Sequence, residues 1–99
     1  MRKKEEFSSW LKSKKLKKNG EPLKDSSFNK YVNAIDTISK DMMADSVINK
    51  DIYYFTDTLE LTHAFEEIKN NKNFNIKNET GNNMYSVALD HYEDFFSKL

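Results

Sequence analysis

Hydrophobic positions along the chain recur mostly at helical spacing, and the broadest stripe lies at the C-terminal end. Over Asn82 to Leu99, at about 100° per residue, Met84, Val87, Ala88, His91 and Phe95 form one arc, with Tyr85, Leu89, Tyr92, Phe96 and Leu99 beside it. Ser86, Asp90, Glu93, Asp94, Ser97 and Lys98 occupy the remaining arc. A helix apolar over more than half its surface needs neighbours on two sides, so the spacing predicts that this segment is the centre of a small helical domain.

Three further helices are expected upstream. The first starts near Glu5, where Glu5 and Glu6 suit the positive end of a helix dipole, and it turns Phe7, Trp10 and Leu11 inward. Continued, it would put Lys14 and Lys18 on the inward stripe and Leu16 opposite, so it ends near Lys14 or Lys15. Asn19-Gly20-Glu21-Pro22 is turn chemistry.

The second helix runs from Ser26 or Ser27 to about Met43, capped by Asp25, Ser26 or Ser27, with Phe28, Tyr31, Val32, Ile35, Ile38 and Met42 gathered on roughly a third of the wheel. Residues 44–57 carry apolar pairs without a period and are expected to be loop with one turn of helix. Asp57-Thr58-Leu59-Glu60 has capping-box-like spacing ahead of a third helix, with Leu61, Ala64, Phe65 and Ile68 on one face and an end at Asn70-Asn71-Lys72-Asn73. Phe74-Asn75-Ile76 alternates briefly and reads as a packed connector, followed by a polar turn over residues 78–83. The expected architecture is all-α, a single domain over residues 1–99 with four main helices.

Composition sharpens this reading. Two glycines and one proline in 99 residues are too few for a many-stranded sandwich or barrel, and 37% hydrophobic residues suffice for one modest core. There is no cysteine, hence no disulfide and no thiolate metal site. No apolar run approaches the roughly 18 residues of a membrane span, and the basic start leads into Glu5-Glu6 instead of an apolar signal core, so a cytoplasmic location is expected.

Net charge is zero but unevenly spread. Residues 1–24 hold nine Lys/Arg against three Glu, a balance of +6, while residues 25–99 hold seven against thirteen, a balance of −6. Lys12, Lys14, Lys15, Lys17, Lys18 and Lys24 place six ammonium groups in a short stretch around a helix end and a turn, suited to following a phosphate backbone. The alternative is a solvated lysine-rich surface. With Arg2 the one arginine, bidentate reading of guanine is hardly available, so such contacts would tolerate any sequence.

Catalytic chemistry finds little to work with. Two histidines are present, each three residues from an acid, Glu60/His63 and His91/Asp94, but the pattern lacks a metal-ligand set, a glycine-rich phosphate loop and a nucleophile elbow. His91 is expected at the core edge, the carboxylates on solvated faces, and neither an enzyme nor a cofactor is expected. Tyr31, Tyr85 and Tyr92 read as core-edge residues, whereas Tyr53 and Tyr54 are expected to be exposed and to serve a protein interface.

The pattern Phe7-x-x-Trp10-Leu11, Ser27-x-x-x-Tyr31-Val32-x-Ala34-Ile35-x-x-Ile38-Ser39, Asp51-Ile52-Tyr53, Phe65 and Gly81-Asn82-Asn83-x-Tyr85-Ser86-x-Ala88-Leu89-x-x-Tyr92-x-x-Phe95-Phe96 spans nearly the whole chain. It resembles the N-terminal helical module that precedes nuclease or ATPase domains in bacterial restriction and phage-defence proteins, including HNH endonucleases and relatives of methylcytosine-dependent restriction ATPases. A weaker likeness, over Phe7 to Ile38, is to the core-binding domain of tyrosine recombinases. Both resemblances imply a non-catalytic module that positions a larger protein on DNA or on a nuclease or ATPase partner. They leave open an excised domain, a stand-alone unit, and a protein-interaction or oligomerisation module such as a small phage or host regulator.

Overall fold

The computed structural model describes residues 3–14 and 25–98, with the side chains of residues 13, 14 and 25–28 outside the description. The fold is all-α. Among the described residues there are five α-helices, α1 (Lys4–Lys14), α2 (Asp25–Ala44), α3 (Thr58–Lys69), α4 (Lys72–Thr80) and α5 (Met84–Ser97), and one 3-10 turn, η1 (Ile52–Tyr54). α5 packs against all four other helices, so the C-terminal helix is central as its two apolar arcs require. Ala88, Leu89, Tyr92, Phe95 and Phe96 are its buried positions.

The faces of α1 and α2 follow the sequence pattern. Phe7 and Leu11 are fully buried, Trp10 half-buried, and α2 buries Val32, Ile35, Ile38 and Met42. Phe28 and Leu99 lie outside the described side chains. α2 ends in a Schellman motif: Ser46 sits in the left-handed region at φ 61°, its N–H donating to Met43 O and that of Val47 to Met42 O. The irregular segment that follows is loop around η1, as expected. Asp51 starts η1 by accepting from the Tyr53 N–H at 2.8 Å, and Ser39 Oγ, buried on α2, accepts from the Ile52 N–H at 3.0 Å. The backbone before α1 joins in, the Lys3 N–H donating to Tyr53 O at 3.1 Å.

Two expectations need correction. Asp57 occupies the N-cap of α3 but makes no side-chain capping hydrogen bond, so the capping-box spacing does not become a capping box. The segment around Phe74-Asn75-Ile76 is a nine-residue helix, not a connector, which raises the count from four helices to five. Asn71 begins it, accepting from the Phe74 N–H at 2.9 Å, while the Asn75 amide returns to Lys69 O at 3.0 Å and caps the end of α3. The asparagine run thus ends one helix and starts the next. α4 closes in a second Schellman motif, with Asn82 at φ 55° and the Asn83 N–H donating to Asn78 O at 2.8 Å.

Candidate functional site

The basic segment is attached to the body through α1. Phe7 is the anchor: its ring meets Tyr92 edge-on at 5.1 Å, Phe95 at 5.4 Å and Tyr53 at 6.4 Å, while Trp10 stacks beside it and touches Phe95 at 5.8 Å. Leu11 is buried one turn further on, and Lys12 follows on the exposed face. Lys14 is the last residue of α1. Its side chain lies outside the described residues, as do Lys15, Lys17, Lys18 and Lys24 in full. Towards the other end of α1, Lys4 pairs with Asp36 of α2 at 2.5 Å, and the Lys3 ammonium stands 5.9 Å from the centre of the Phe96 ring. These lysines are spent on holding α1 to the acidic body.

Tyr53 and Tyr54 part company. Tyr54 is exposed at 46%, but Tyr53 is completely buried, so the expectation that both face solvent is corrected for Tyr53. The cause is η1 itself: about three residues per turn sends adjacent side chains some 120° apart, and Ile52 and Tyr53 point inward while Tyr54 points out. The Tyr53 hydroxyl crosses to α2 and donates to Val32 O at 2.8 Å. It is a structural strut.

The two histidines lie in different surroundings. His63 lines a broad open groove between α3 and the segment following α2, about 720 Å³ in volume. Glu60 is held there by Lys50 at 2.6 Å, and the Lys50 ammonium also stands 4.8 Å from the centre of the Phe55 ring. His91 is half-buried, its ring edge-on to Tyr31 at 4.8 Å, and Asp94 pairs with Lys98 at 3.1 Å. No three His, Asp or Glu residues among those described are grouped to hold a metal ion, and no described helix is long and apolar enough to cross a membrane.

A polar feature that the sequence reading passed over is Asn78. It is buried on α4, and its Oδ1 accepts from the Ser86 N–H in the first turn of α5 at 2.9 Å. The residues that carry the family resemblance lie mainly in the core, where Phe7, Leu11, Ile35, Tyr53, Phe65 and Tyr92 are all buried. They describe packing more than chemistry. No family model, curated protein or solved structure matches the chain.

Proposed function

We propose that the chain is a non-catalytic DNA-contacting accessory module of a restriction or phage-defence system, working in the cytoplasm beside a nuclease or ATPase partner. The observation that carries the reading is the charge division, +6 over residues 1–24 against −6 over the rest, with six lysines between Lys12 and Lys24. The firm seating of α1 through Phe7 and Leu11 supports it, since a basic segment held at one end approaches a phosphate backbone from a fixed origin. Lysine ammonium groups act as point charges, so binding is sequence-tolerant and duplex-backbone directed. The acidic body faces away from DNA.

The test is fluorescence anisotropy with labelled duplex DNA across a salt series, comparing the wild type with a Lys14/Lys15/Lys17/Lys18→Ala variant of unchanged circular dichroism. Each lysine on a phosphate contributes about −0.9 to the slope of log K against log salt, so removing four makes the expected slope shallower by up to about 3.6. Absence of binding by the wild type at low salt rejects the reading.

A second reading, a protein-interaction or oligomerisation module, is favoured by one set of observations: Leu59 at 71%, Ile76 at 55% and Tyr54 at 46% exposure are large apolar side chains left in water. It predicts indifference to the lysine changes and a mass that rises with concentration in sedimentation.

A further inference from the structure

A cleft lies between the C-terminal half of α2 and α4. Both helices pack on α5, and across the gap between them two side-chain bridges are stretched: Lys77 Nζ to Asp41 at 2.6 Å and Asn73 Nδ2 to Asp45 at 3.1 Å. Asp41 on the last turn of α2 and Asp45 just past its end are four residues apart, and Asn73 and Lys77 are one turn apart on α4, so the two bridges lie side by side. Beneath them is an apolar floor of Ile38, Met42 and Phe74, each at least 96% buried, with the ring of Tyr85 as a side wall. The half-open space is about 300 Å³, at the lower end of what small-molecule sites occupy.

The charges around the mouth do not balance. Asp41 is matched by Lys77, whose ammonium also stands 5.7 Å from the centre of the Tyr85 ring. Asp45 receives an uncharged amide from Asn73 and pairs with no cation among the described residues. Asp41 stands in the last turn of α2 and Asp45 directly follows its last residue, so both carboxylates are at the negative end of the helix dipole, and that turn has no basic residue. An apolar floor, an aromatic wall and a surplus negative charge at the rim make one chemical demand.

We propose that this cleft binds a small organic cation, an ammonium group carried on an aromatic or branched apolar body. The apolar body lies on Met42 and Phe74, and the ammonium group is held at the rim by Asp45. Tyr85 reaches the wall because Gly81 leaves room for it: a Cβ there would stand 3.1 Å from the Tyr85 ring.

The experiment is an amide-resolved NMR titration of the full chain with phenethylamine, run beside phenylacetate and phenethyl alcohol, which keep the ring and change the charge. Saturable shifts at Met42, Asp45, Phe74 and Lys77 with phenethylamine are expected, with phenylacetate about five-fold weaker or worse. Asp45→Asn, at an exposed position where the new amide oxygen still accepts from Asn73, is expected to weaken the amine about five-fold and leave the alcohol unchanged. Lys77→Gln removes the cation at the mouth and is expected to strengthen amine binding. The proposal is overturned if the amine gives no saturable shift at about 10 mM, a concentration well above millimolar affinity. It is overturned equally if acid and amine bind alike, or if neither substitution changes the amine's affinity.

Discussion

Tyr53 and Tyr92 meet edge to face at 5.4 Å in the middle of the core, and their hydroxyls have opposite circumstances. That of Tyr53 donates to Val32 O, whereas that of Tyr92 is buried with no hydrogen-bond partner among the described residues. A buried hydroxyl that gave up its water and gained nothing costs about 1–3 kcal/mol, and a made hydrogen bond contributes about 1. Tyr53→Phe is therefore expected to lower unfolding free energy by about 1 kcal/mol and Tyr92→Phe to raise it by about the same amount, as read by urea denaturation. The pH dependence separates the two effects. Burial, helped by the carboxylates of Asp51 and Glu6, holds the Tyr92 hydroxyl well above the ordinary tyrosine value. A raised folded-state value means that the stability tied to this proton is complete below about pH 10 and is lost as pH rises beyond it, because only the unfolded chain ionises readily there. The melting-temperature advantage of Tyr92→Phe should widen above about pH 10. An advantage that stays flat with pH would place the gain elsewhere than in the hydroxyl.

At the scale of elements, α4 shows how far the sequence could be read. α2 and α5 were legible because their buried residues recur every three or four positions, and α1 because its lysines mark where the apolar stripe stops. α4 buries only Phe74 and Asn78, leaves Ile76 in water and is rich in asparagine, a poor helix former, so neither periodicity nor propensity announces it. What makes it a helix is its ends, an asparagine cap and a Schellman turn at Asn82. Its second task is also invisible in the sequence. Asn83 precedes α5 in the left-handed region with no capping hydrogen bond of its own, so the cap comes from Asn78, five residues upstream in another helix. Asn78→Ala is expected to cost about 1–2 kcal/mol, because a part-buried N–H in the first turn of α5 loses its partner. Hydrogen exchange at Ser86 is the direct readout and should accelerate beyond the global loss. The candidate sites divide in the same way: the lysine run was legible as charge, whereas the α2–α4 cleft needs a helix that the hydrophobic pattern does not reveal.

For the molecule as a whole, cooperativity depends on whether α1 belongs to the same folding unit as the helices it covers. The contacts say that it does. Phe7 reaches Tyr53 of η1 and Tyr92 and Phe95 of α5, and Lys4 adds an ion pair to α2, so undocking α1 would uncover the centre of the core. Trp10, the chain's one tryptophan, stacks on Phe7 and meets Phe95 at a tilt, and it reports directly on that docking. Tryptophan emission and far-UV circular dichroism are therefore expected to trace one transition in denaturant, as for a two-state domain. Phe7→Ala removes a fully buried aromatic side chain and is expected to cost about 3–5 kcal/mol, a large part of the roughly 5–15 kcal/mol that holds a domain of this size. In a single cooperative unit both probes move to lower denaturant together. If the tryptophan signal shifts and the dichroism does not, α1 is a separable arm, and the basic segment would then hang from a joint that opens independently of the body.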